Sequence, residues 1–79
     1  MATKAFVLIE TAVGKTKEVT GSLQRVKGAQ SIDAVTGPYD IIVTLEGPDL
    51  NAIGDLVTSN IHTIPGIVRT VTCLAVSLS

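Results

Sequence analysis

"AVTGPYDIIVTL", residues 34–45, sets an apolar segment on each side of four residues, Gly37, Pro38, Tyr39 and Asp40, that break both strand and helix patterns. After the break, Ile41 to Glu46 carries Ile41, Ile42, Val43 and Leu45, apolar on both parities, so both sides of this strand need cover. Before it, Gln30 to Thr36 alternates, with Ile32 and Ala34 flanking Asp33, and reads as a second strand. The stretch is therefore a strand, a short connection and a strand. What lies outside the pair decides the fold.

Toward the N-terminus, Lys4 to Ala12 contains Phe6, Val7, Leu8 and Ile9 and predicts the first strand. Gly14 interrupts it. From Lys15 to Val26 the apolar positions become Val19, Leu23 and Val26, the spacing of one helix face, and Lys27-Gly28 is expected to close that helix with Gly28 as a left-handed cap. Toward the C-terminus, Gly47-Pro48-Asp49 stops the strand, and Asp49 suits the N-cap of a second helix whose stripe is Leu50, Ile53, Leu56, Val57, Ile61 and Ile64. Pro65-Gly66 ends it, and Ile67 to Leu78 predicts a long last strand. Val26-Lys27-Gly28 before the second strand also echoes Ile64-Pro65-Gly66 before the fourth.

The order is βαββαβ. Two right-handed crossovers in one sheet give an α+β, ferredoxin-like fold, a four-stranded antiparallel sheet with two helices on one face. The other face is left open. Apolar residues nevertheless occupy both parities: Phe6 and Leu8 oppose Ala5, Val7 and Ile9, while Val68, Leu74 and Val76 oppose Ile67, Val71 and Cys73. A second subunit's sheet is expected over the open face, since an apolar patch of several hundred Å² is unusual on a monomer. Gly21 and Gly54 fall inside the helices, where close approach to a neighbour would explain them.

Composition points the same way. Seventy-nine residues predict one domain spanning 1–79 with a marginal core, and a single cysteine leaves no internal disulfide to support it. With 46% hydrophobic and only 16% charged residues, the support expected is self-association. The longest apolar run, Ala5 to Ile9, is far short of a membrane span, and the first residues show no signal-peptide pattern, so a cytoplasmic protein without membrane contact is expected.

Catalytic and metal chemistry find little material. His62 is the only histidine and falls at the end of the second helix, where an imidazole favours the negative end of the helix dipole. Cys73 falls mid-strand and reads as a buried, inert thiol. No cofactor, metal site or enzyme activity is expected. Six basic residues against seven acidic ones give a net charge of −1, without the basic stripe that phosphate contacts demand. Lys15, Lys17, Arg25 and Lys27 at the ends of the first helix read as a solvated face, and direct nucleic-acid binding is not expected.

The opening connection is the remaining candidate. Pro38 suits the second position of a β-turn, Asp40 can bond local backbone amides, and Gly37 accepts unusual dihedrals. That reading leaves Tyr39 unexplained. Backbone N–H groups for a carboxylate, Asp40 for an ammonium and the Tyr39 ring as a wall would instead suit a zwitterionic ligand.

Thr36-Gly37-Pro38-Tyr39-Asp40 resembles the Gly-x-Tyr-Asp signature of the effector-binding domain of Lrp/AsnC feast/famine regulators, the RAM domain. The resemblance extends to Pro65-Gly66-Ile67 and to the closing segment Arg69-Thr70-Val71-Thr72. It implies dimers formed by sheet-to-sheet packing, rings of four or five dimers (octamers or decamers), and an amino acid bound between dimers. Thr36, Gly37, Tyr39 and Asp40 are the implied ligand-binding loop, joined by Thr70 and Thr72 on one face of the last strand. Full-length regulators carry a helix-turn-helix for which this sequence shows no room before Lys4. A stand-alone amino-acid sensor is expected, acting on transcription through a partner such as a full-length Lrp/AsnC regulator. Two alternatives remain: a small enzyme of the dimeric α+β barrel kind, with His62 or Asp40 moving a proton, and a purely structural assembly module.

Overall fold

The computed structural model describes residues 2–77. β1 (Thr3–Thr11) leads through a tight turn into α1 (Thr16–Leu23), followed by β2 (Ala29–Ala34), β3 (Ile41–Gly47), α2 (Leu50–Asp55), a π-helical continuation (Leu56–Ile61) and β4 (Ile67–Leu74). The strands pair antiparallel in the order β2-β3-β1-β4, so β1 and β3 are central and the other two are edges. The expected ferredoxin-like α+β arrangement is what the chain adopts.

Register sorts the side chains. Ala5, Val7 and Ile9 of β1 lie opposite Leu45, Val43 and Ile41 of β3, and all six are fully buried under the helices together with Val19, Leu23, Ile53 and Ile61. The opposite parity forms the other face, where Phe6 pairs with Thr44 and Cys73, and Leu8 with Ile42 and Val71. These residues are only half-buried or exposed within the chain. Fully burying a large apolar side chain contributes roughly 1.5–3 kcal/mol, so the helix-side face carries the fold and the other face holds stabilisation in reserve.

Several boundaries differ from the sequence expectation. α1 ends at Leu23 rather than Val26, because Arg25 and Val26 donate to Ser22 and Leu23, three residues back, and wind the chain into a tighter turn. Gly28 has a positive φ of 95°, but it stands one residue before β2 and not at the helix cap. Gly66, with φ 99°, stands one residue before β4 in the same way. Their carbonyls receive the N–H groups of Glu46 and Ala12, so the sequence echo is a repeated entry into an edge strand.

The second helix begins as expected, with the Asp49 carboxylate accepting from the Ala52 N–H at 2.8 Å. Its buried positions then fall at Ile53, Val57 and Ile61, two successive steps of four. An α-helix drifts by about 40° over each such step, and a wider π-turn cancels the drift. The His62 N–H donates to the Val57 carbonyl, five residues back, as that turn requires.

β4 is shorter than expected, ending at Leu74, and Leu78 lies outside the described residues. The β1–β4 register shifts between Glu10 and Thr11: Glu10 faces Arg69 but Thr11 faces Ile67, which leaves Val68 out of the ladder. The bulge turns Ile67 onto the core side, away from the face of Val71 and Cys73 with which alternation had grouped it. Cys73 stands opposite Phe6 on the uncovered face and is exposed within the single chain, so the burial expected of it depends on a subunit over that face.

Candidate functional site

The connection between β2 and β3 is closed by the Val35 N–H donating to the Asp40 carbonyl at 2.9 Å, enclosing Thr36, Gly37, Pro38 and Tyr39. It is a wider loop than the expected β-turn. Thr36, Gly37 and Pro38 are exposed, while Tyr39 and Asp40 are half-buried. Gly37 holds φ at 141°.

Asp40 is tied to β1 three times. Its N–H donates to the Ile9 carbonyl at 2.9 Å, and its Oδ2 accepts from the Thr11 N–H at 2.8 Å and from the Thr11 hydroxyl at 3.2 Å. The local amides expected to bond its carboxylate are replaced by a residue 29 positions away. The Thr11 and Thr16 hydroxyl oxygens are 2.7 Å apart. An ionised carboxylate only accepts, so Thr11 gives its one hydroxyl proton to Asp40 and Thr16 donates to Thr11. This chain of bonds runs from the start of α1 through β1 to the loop.

Tyr39 is held from the other side. The Arg69 guanidinium lies 5.3 Å from its ring centroid, within cation–π range, and Arg69 Nε is 3.4 Å from Glu10 Oε1. Arg69 and Glu10 are register partners across β1 and β4.

Thr70 and Thr72 share one face of β4, as their spacing requires, but it is the helix-side face, opposite Ile9 and Val7. Thr70 Oγ1 lies 2.9 Å from Nε2 of His62, which caps the end of the π segment. Thr72 is exposed. Thr70 and Thr72 stand on β4, across β1 from Asp40, but Arg69, which precedes Thr70, reaches the Tyr39 ring, so Thr70 adjoins the residue that meets the loop while Thr72 stands two residues farther along the strand. A hollow of about 290 Å³ is lined by His62, Ile67, Val68, Arg69 and Thr70. A second hollow, of about 560 Å³, lies between α1 and the end of β2, lined by Thr16, Lys17, Thr20, Gly21, Gln24 and Ala34. Among the described residues no group of three or more His, Cys, Asp or Glu side chains is placed to hold a metal, and no helix is long and apolar enough to cross a membrane.

Glu10, Thr11 and Arg69 are the residues that sequence reasoning missed. Arg69 stands inside the segment already noted for its threonines, and an arginine between Val68 and Thr70 in a strand is the one available signal. Nothing in the spacing of Thr11 and Asp40 announces their contact.

The βαββαβ order and the β2-β3-β1-β4 sheet place the chain among small ferredoxin-like α+β domains. It belongs to the Lrp/AsnC ligand binding domain family, whose sequence model matches residues 4–78. TTHA0845 from Thermus thermophilus superposes with a TM-score of 0.91 at 28% identity, covering 98% of this chain and 96% of that one. The hypothetical protein PHS023 from Pyrococcus horikoshii gives a TM-score of 0.87 at 34% identity, with 98% and 92% covered. The transcriptional regulator NMB0573 from Neisseria meningitidis, in complex with L-Met, gives 0.85 at 18% identity; 96% of this chain but 51% of that one is covered, a likeness of fold over about half the regulator. No curated protein sequence matches the chain.

Proposed function

We propose that the chain is a sensor domain that binds an amino acid between the dimers of a homo-oligomeric ring and performs no chemistry on it. The carrying observation is that the residues implied by the resemblance lie open within one chain. Thr36 and Gly37 of the loop and Thr72 of β4 are exposed, and Tyr39, Asp40 and Thr70 are only partly buried, which suits a pocket completed by a neighbouring subunit. A carboxylate accepts about four hydrogen bonds, and Thr11 uses two on Oδ2, so Asp40 retains capacity for a ligand ammonium. The uncovered face, with Phe6, Leu8, Ile42 and Val71 at its centre, supplies the sheet-to-sheet contact. A complex with L-Met in a relative of the same fold is consistent with an amino acid as the ligand class. The domain works in the cytoplasm, and its readout passes through a partner such as a full-length regulator.

A second reading, an assembly module without a ligand, is favoured by one observation: the Asp40 carboxylate already serves a structural contact to Thr11. Thermal melts in the presence of each of the twenty amino acids, run beside sedimentation, separate the two. A ligand-specific rise in melting temperature supports the sensor. An oligomer whose melting ignores every amino acid supports the module.

A further inference from the structure

We propose that Arg69 is a positioning residue that fixes the Tyr39 ring and through it the affinity of the amino-acid site, an inference resting on the loop's assignment to that site. The geometry is one of neighbours holding neighbours. Thr11 of β1 bonds Asp40 directly, while the preceding residue, Glu10, holds Arg69, whose guanidinium lies against Tyr39, the residue preceding Asp40. Successive strand residues project to opposite faces, so the two loop residues are gripped from the two sides of β1. The Glu10–Arg69 rung also borders the bulge that removes Val68 from the ladder, at the end of the sheet nearest the loop.

Tyr39 follows three exposed residues, and its aromatic ring has no covalent reason to keep one orientation. Arg69 supplies that reason. Its planar group can bond a carboxylate along one edge while presenting a face to an aromatic ring, a combination that the point charge of lysine reproduces only in part. Holding the ring before the ligand arrives lowers the ordering cost that binding would otherwise carry.

The chain has one tyrosine and no tryptophan, so tyrosine fluorescence and the tyrosine bands of near-ultraviolet circular dichroism report on Tyr39 alone. The full chain and its Arg69→Gln, Arg69→Lys and Glu10→Gln variants are compared by these signals and by titration with the amino acid that binds the wild type. Arg69→Gln is expected to weaken the near-ultraviolet band, leave far-ultraviolet dichroism unchanged and reduce affinity about two- to fivefold. Arg69→Lys is expected to restore part of both, and Glu10→Gln to give smaller changes in the same direction. A Tyr39 signal in Arg69→Gln identical to that of the wild type, or an undiminished affinity, overturns the proposal. If no amino acid binds the wild type, the proposed function fails by itself, and the Tyr39 signal alone then decides whether Arg69 holds the ring.

Discussion

Asp40 and Thr11, 29 residues apart, are joined by two hydrogen bonds into one carboxylate oxygen, so the loop between β2 and β3 is fastened to the end of the central strand. Thr11 is 9% exposed, and its amide has little access to water as a substitute partner. Asp40 is therefore a structural residue as well as a candidate ligand contact, and its substitutions have to be read for both roles.

Asp40→Ala should leave the Thr11 N–H unsatisfied and cost about 2–3 kcal/mol, whereas Asp40→Asn keeps an acceptor and should cost about 1 kcal/mol. Thr11→Val removes only the hydroxyl bonds and should fall near the Asn value. Urea denaturation at one fixed protein concentration gives the order. Equal stability of Asp40→Ala and the wild type would mean that the fastening contributes nothing.

The two faces of β1 make a paired test. Val7 is fully buried, so Val7→Asp places an unpaired charge in the core and should cost several kcal/mol, enough to unfold so small a domain. Phe6 lies on the uncovered face, and Phe6→Asp should instead lower the assembled mass seen by sedimentation while the secondary structure persists. An unchanged assembly in Phe6→Asp would remove that face from the interface.

Two glycines should respond with opposite signs. A Cβ at Gly28 would stand 2.8 Å from Leu56 Cδ1 at a φ of 95°, so Gly28→Ala should destabilise by about 1–3 kcal/mol. At Gly21 a Cβ would meet nothing within 4 Å, and Gly21→Ala in α1 should stabilise the chain by up to about 1 kcal/mol. Thermal melting of the two variants checks the signs. A Gly21→Ala chain that melts higher but sediments as a smaller species would place a neighbouring subunit against α1.

Local signals made the element order legible. Asp49 announces the second helix and caps it, the β-branched runs announce the central strands, and the two glycine-ended turns before β2 and β4 repeat as their sequences suggest. Alternation does not show which parity faces the helices, since both are apolar; the strand register assigns Val71 and Cys73 to the uncovered face. The bulge at Val68 and the π-turn before His62 depend on fitting one element to another, which no window along the chain contains. The site divides in the same way. Tyr39 stands out as a residue foreign to a turn, whereas Asp40 suits one, and Thr11 and Arg69 become visible only when the strands are aligned.

Calorimetric titration of the wild type and Asp40→Asn with the twenty amino acids tests the central claim most directly. One or a few amino acids should bind the wild type, and the loss of a charge-assisted contact in Asp40→Asn, about 1.5–3 kcal/mol, should weaken that binding roughly tenfold to a hundredfold while the variant remains folded. Absence of binding by the wild type, or an affinity that Asp40→Asn leaves unchanged, would contradict the account of the loop as an amino-acid site.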